Sequence, residues 1–187
     1  FAQNRPVHLI DNLGLIVIGF YGADIWGVFP NAGNKKMADI ATRVGTTTTS
    51  WGGPLFYARS VLPAFDHLLK QLDTNEDGKY DPNCGDKKDD VKIFGWSWGG
   101  SSAVELTRMI RRSAKFRDKE VKVLVTIDPV TLLRGPSTGT VPDNVLFFAN
   151  FYQTGGDTSY GGPFHGHVLK SSAKRSCSES AILASST

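Results

Sequence analysis

Ser97 stands in Gly95-Trp-Ser-Trp-Gly99, at the end of the apolar run Val91-Lys-Ile-Phe-Gly-Trp96 and just before an amphipathic stretch from Ser101 to Ala114. Glycines on either side of a serine suit a strand that turns sharply into a helix, because that turn needs backbone angles and close approaches that a Cβ obstructs. A hydroxyl lifted out on such a turn is placed to attack a carbonyl carbon, so the chemistry suggested is acyl transfer through a covalent serine intermediate. The pentapeptide alone is a weak signal, and its competing reading is a Gly-rich turn carrying an ordinary serine. The strand before it and the Val104, Leu106, Met109, Ile110 set after it favour the nucleophile.

A serine hydroxyl needs a base within hydrogen-bond reach and a third group that orients the base. The chain has four histidines, His8, His67, His165 and His167, and an aspartate, Asp128, directly after the apolar run Val121-Lys-Val-Leu-Val-Thr-Ile127. A carboxylate at a strand's carboxyl end is held rigidly, and Pro129 fixes the next φ. The competing role for Asp128 is an Asx turn before proline; Asp143 and Asp157 are the fallback acids.

Together, Gly95-Trp-Ser-Trp-Gly99, Ile127-Asp-Pro129 and His165-Gly-His167 resemble the α/β-hydrolase superfamily, in its lipase and esterase branch, over roughly residues 13 to 168. That resemblance implies the order serine, acid, histidine along the chain, which leaves His165 and His167 as the base. His167 is favoured because it precedes Val168-Leu169, an apolar pair able to pin its loop to the core, while His165 would face solvent or line the mouth. It also implies an oxyanion hole of two backbone N–H groups, one from Trp98 and one from Gly19-Phe-Tyr-Gly-Ala23, where Tyr21 is preferred with Phe20 and Gly22 beside it. The sequence departs from the pattern in three ways. No His-Gly dipeptide precedes the oxyanion segment, the acid follows the strand next after the nucleophile helix rather than a later one, and little chain remains after the histidines for a closing helix. A base lying beyond Thr187 in a longer parent protein would make this chain an inactive fragment.

These groups need a scaffold. Leu13-Gly-Leu-Ile-Val-Ile-Gly-Phe20 is a continuous apolar run of strand length, and Val91 to Trp96, Val121 to Ile127 and Val145 to Tyr152 are three more. Helical patterns fall at Asn34 to Arg43, Leu55 to Leu72 and Ser101 to Ala114. The alternation predicts one compact α/β domain over 1–187, a mostly parallel sheet flanked by helices, and the resemblance implies that this domain is α/β-hydrolase-like. In such sheets functional groups gather beyond the carboxyl ends of the strands, where Phe20 to Ala23, Ser97 and Asp128 all fall. Gly45-Thr-Thr-Thr-Thr-Ser50 is either a short edge strand or a loop. The Ser-rich tail from Ser171 to Thr187 is expected to fray, with only Ala181-Ile-Leu-Ala184 able to anchor a last helical turn.

An insertion over 73–90 carries a second signal. Asp73, Asn75, Asp77 and Asp81 occupy positions 1, 3, 5 and 9 of an EF-hand-like loop, with Gly78 at position 6 and Lys79 at position 7. Calcium needs hard oxygen ligands, and alternate residues around a tight turn converge on one point. Position 12, normally a bidentate glutamate, is Cys84, so Asp86, Asp89 or Asp90 would have to complete the shell. The expectation is a structural calcium, not required for catalysis; the competing reading is a solvated acidic turn.

Composition narrows the classes. The 187 residues carry a net charge of +3 and 40% hydrophobic residues, which suits a soluble globular domain. The basic stretch from Arg108 to Lys122 also carries Asp118 and Glu120, has no interleaved aromatic except Phe116, and reads as a solvated helix face, so no nucleic-acid partner is expected. No transmembrane segment is expected either. Cys84 and Cys177 lie in polar surroundings and are candidates for a disulfide; with the calcium loop and the missing initiator methionine they suggest a secreted or extracytoplasmic protein. The substrate expected is a small-molecule or lipid ester, with Trp26, Trp51, Trp96, Trp98, Phe20, Tyr21 and Phe164 either lining an acyl pocket or filling the core. A thioesterase or peptidase of the same fold, and a non-catalytic calcium-stabilised binding module, are the alternatives.

Overall fold

A computed structural model describes residues 15–20, 22, 61–116, 118–129, 140–153 and 170–181. Strands β1 (Leu15–Phe20), β2 (Asp90–Trp96), β3 (Val121–Ile127), β5 (Val145–Gln153) and β7 (Arg175–Ala181) form one five-stranded sheet in the order β1-β2-β3-β5-β7. Every neighbouring pair in it is parallel. Two short strands, β4 (Thr140–Val141) and β6 (Lys170–Ser171), pair separately. Helix α1 (Val61–Leu72) lies between β1 and β2, and α2 (Trp98–Arg112) between β2 and β3. The protein is therefore of the α/β class, with an all-parallel sheet and helices.

The strand order explains which face the helices take. Parallel neighbours added in sequence by right-handed crossovers place successive helices on the same face. Accordingly α2 packs on β1, β2 and β3, and α1 packs on α2. The face beneath α2 carries Ile18, Phe20, Val91, Ile93, Leu124 and Phe148, which join Leu68 and Leu72 of α1 and Leu106 and Ile110 of α2 in one core. The opposite face presents Lys92, Phe94, Trp96, Val125 and Ile127, all partly exposed, and Phe147 and Phe151, which are 39% and 40% exposed.

Helix α2 starts at Trp98, three residues earlier than the expected Ser101, because Gly99 and Gly100 carry no side chain to extend the apolar pattern back to Trp98. It ends where Ser113 becomes extended, its N–H donating to the Met109 carbonyl at 2.9 Å. The tail differs most from expectation. Residues 175–181 form β7, in register with Phe147 to Gln153, instead of fraying, and the turn expected at Ala181 to Ala184 lies beyond Ala181 outside the described residues. Backbone hydrogen bonds to β5 make that strand, and they demand no apolar side chains. The expected helices at Asn34 to Arg43 and Leu55 to Ser60 lie outside the described residues, as does Gly45 to Ser50.

Cys84 and Cys177 are both exposed and form no disulfide. Cys84 follows α1 in the loop that leads to β2, whereas Cys177 lies on β7, three strands across the sheet from β2. The 73–90 insertion is docked rather than loose. The Tyr80 N–H donates to the Lys115 carbonyl at 2.6 Å, and Lys119 lies over the Tyr80 ring at 4.6 Å while its Nζ donates to the Asp89 carbonyl at 2.6 Å. No helix among the described residues is long and apolar enough to cross a membrane.

Candidate active site

The carboxyl ends of β1, β2 and β3 lie side by side, with Phe20 opposite Gly95 and Trp96 opposite Ile127. Ser97 follows at once, with φ 55° and ψ −124°. Such a conformation costs a non-glycine residue about 1–3 kcal/mol and persists only where the surroundings over-determine it. Here they do. The Ser97 N–H donates to the Ile127 carbonyl at 2.9 Å, and the Gly100 N–H returns to the Ser97 carbonyl at 3.0 Å. Gly95 lets the helix sit directly on the strand, since a Cβ there would collide with the Gly99 carbonyl.

Asp128 occupies the equivalent place on the next strand. It too has a positive φ, 47°, and its N–H donates to the Phe151 carbonyl at 2.6 Å. Among the described residues, non-glycine positive φ also occurs at Glu76 and Asp118, which lie in connecting segments. The two at the sheet's carboxyl edge are neighbours across β2 and β3. Their turns also touch, because a Cβ on Gly100 would lie 2.9 Å from the Pro129 Cβ.

The chain leaving β1 passes close to Ser97. A Cβ on Gly22 would lie 2.7 Å from the Trp96 ring and 3.1 Å from the Ser97 Cβ, so only glycine allows this approach. Trp98, the first residue of α2, is 9% exposed, and an N–H at the first helical position has no acceptor within the helix. Tyr21, His165 and His167 lie outside the described residues, as does Asp157. Asp143 is at the amino end of β5, where its carboxylate takes the Arg111 guanidinium at 2.6 Å; it sits at the sheet edge opposite Ser97. Of the expected constellation, the described residues bring together Ser97, Asp128, Trp98 and Gly22.

The acidic loop is organised by its own amides. Asp73 accepts from the N–H groups of Asp77 at 3.2 Å and Gly78 at 2.8 Å, Asn75 accepts from Asp77 at 3.0 Å, and Asp77 accepts from Lys79 at 3.0 Å. Asp81 turns instead to the Asn83 N–H at 2.9 Å and to the Cys84 thiol at 3.5 Å, a contact that raises the thiol's pKa. Asp86 closes the loop by accepting from the Thr74 N–H at 2.9 Å and the Asp81 N–H at 2.6 Å. Asp90 pairs with Lys122 at 3.4 Å. Among the described residues no group of three or more histidine, cysteine, aspartate or glutamate side chains is gathered closely enough to hold a metal ion.

A groove of about 1060 Å³ opens between this loop and the far end of α2, lined by Tyr80, Arg111, Lys119 and Asp143 among others. Its lining balances Lys79, Arg111, Arg112 and Lys119 against Asp81, Asp118, Glu120 and Asp143, so it favours neither sign of ligand charge. It lies at the opposite end of α2 from Ser97. No protein-family model matches the chain, and no curated protein matches it.

Proposed function

We propose that the protein is a serine hydrolase that cleaves carboxylic esters through an acyl-enzyme on Ser97, on an α/β-hydrolase-like scaffold. The observation that carries this reading is the adjacency of two strained strand-end residues, Ser97 and Asp128, held by the Ser97 N–H to Ile127 carbonyl bond. Strain of this kind clusters at functional sites, and a hydroxyl beside a carboxylate is the start of a triad.

In the proposed reaction the Ser97 Oγ attacks the ester carbonyl carbon while its proton passes to the imidazole of His165 or His167. Asp128 orients that imidazole and stabilises its charged form. The oxyanion takes the Trp98 amide and an amide of the segment at Tyr21, which the closeness of Gly22 to Ser97 supports. Collapse expels the alcohol, protonated by the imidazolium. Water, deprotonated by the same base, then releases the carboxylic acid and regenerates Ser97. The last sheet row before the two turns, Trp96, Ile127 and Phe151, is apolar and partly exposed, which favours an apolar acyl group.

A fluorophosphonate probe tests the reading directly. Covalent labelling of the folded protein that vanishes in Ser97→Ala is the expected result. Folded wild type that stays unlabelled and turns over no p-nitrophenyl ester of any acyl length would overturn it.

A further inference from the structure

Two register rows beneath the two strained turns, the sheet buries polar side chains where the next row on the same face is apolar. On the face under α2, Ile93, Leu124 and Phe148 are adjacent and almost wholly buried. Two residues further along, the same face carries Gly95, Thr126 and Asn150. Thr126 and Asn150 are both 0% exposed, and the Thr126 hydroxyl donates to Asn150 Oδ1 at 2.7 Å. A hydroxyl bonded to a side-chain oxygen from the facing strand adds little net stability to a site where an apolar pair would also fit. Something other than bulk stability therefore accounts for its place.

That place is set by the backbone. Thr126 precedes Ile127, whose carbonyl receives the Ser97 N–H, and stands two residues before Asp128; Asn150 precedes Phe151, whose carbonyl receives the Asp128 N–H. The side-chain bond thus ties β3 to β5 in the row just below the backbone bond that fixes Asp128. β3 ends one residue later at Ile127, while β5 runs on to Gln153 beside β7, so the Asp128 N–H to Phe151 carbonyl bond stands at the very end of the β3–β5 ladder.

We propose that Thr126 and Asn150 are positioning residues that hold the carboxyl ends of β3 and β5 so that Asp128 stays aligned with the base serving Ser97. This rests on the serine-hydrolase reading above. Replacing the hydroxyl by a methyl in Thr126→Val keeps the volume and removes the donor. With Asp128 displaced, the imidazolium loses its carboxylate partner, so the imidazole's pKa falls and the acid limb of reactivity moves to lower pH.

The experiment measures the second-order rate of fluorophosphonate labelling against pH, together with melting temperature, in wild type, Thr126→Val, Thr126→Ser and Thr126→Cys. A maximal rate at least tenfold lower in Thr126→Val, with a downward shift of the acid midpoint and restoration of both by Thr126→Ser, is the expected result. Thr126→Cys keeps a similar volume with a weak donor, and carries the same expectation of a shifted midpoint if Thr126→Val does not fold. A lowered melting temperature with unchanged rate and midpoint in these variants would leave the pair purely structural and overturn the proposal. Wild type that is not labelled at any pH would instead remove the reading beneath it.

Discussion

The backbone N–H of Ser97 donates to the Ile127 carbonyl at 2.9 Å, so the turn after β2 is fastened to the residue that leads into Asp128. One strand end cannot move without the other. The two turns also meet where Gly100, in the first turn of α2, faces Pro129.

That contact gives the first prediction. In Gly100→Ala the new methyl lies 2.9 Å from the Pro129 Cβ and 3.1 Å from its Cα, close to a backbone atom that cannot swing aside. Overpacking of this kind costs about 1–3 kcal/mol, and the displacement falls on both turns together. We expect a lower denaturation midpoint and at least a tenfold slower labelling of Ser97, measured by urea unfolding and probe kinetics. Glu105→Ala, further along the same helix, should leave labelling near the wild-type rate. Equal labelling rates in Gly100→Ala and wild type would show that the two turns are not coupled.

The second prediction concerns the base. In the proposed reaction the base is His165 or His167, with His167 favoured because it directly precedes the apolar pair Val168-Leu169. His167→Ala should lower kcat by about 10³-fold or more, and His165→Ala by much less. Retained activity in both variants would place the base elsewhere.

Much of this architecture was legible in the residues. The strands of the sheet centre announce themselves because a parallel sheet covered by helices needs continuous apolar runs, and Val121 to Ile127 was bounded to the residue. The strand-to-helix turn at Ser97 was legible for a related reason: Gly95 and Gly99 mark a place where strand and helix touch. β7 was not, since Arg175-Ser-Cys-Ser-Glu-Ser-Ala181 offers no apolar run and owes its form to hydrogen bonds with β5. The Thr126–Asn150 bond was equally hidden. It joins residues far apart in sequence, and only the strand register brings them together.

A third prediction addresses the metal. Asp73, Asn75 and Asp77 share the amides of Asp77, Gly78 and Lys79, while Asp81 points to Asn83 and Cys84. We propose that calcium, with the Lys79 carbonyl and a reoriented Asp81, completes this set as a structural site. At a calcium concentration one hundred times its dissociation constant the folded state would gain about 2.7 kcal/mol. Melting temperature should then rise with added calcium and fall with a chelator in wild type, and respond to neither in Asp77→Ala. Titration calorimetry showing no calcium uptake by wild type would dismiss the site and leave a solvated turn.

The last prediction concerns how that loop is closed without any metal. Asp86 is 5% exposed and bonds through opposite oxygens to Thr74 and Asp81, bridging the two ends of the acidic stretch. The Asp81 N–H, first among these donors, holds the Asp86 carboxyl below the usual carboxylate pKa, against the opposing effect of burial. A folded-state pKa below the unfolded one means that the unfolded chain takes up its proton first as pH falls. The stabilisation by Asp86 is therefore complete above about pH 4, the ordinary carboxylate range, and is lost as pH falls through the lower folded value. Asp86→Asn should melt at a lower temperature than wild type at pH 7, because an amide –NH₂ must face one of the two N–H donors. Across the acid range the gap between the two proteins should close, since only wild type has the carboxylate to lose. A gap that stays constant from pH 7 down to pH 2 would show that the bridge works by packing and not by the charge of Asp86.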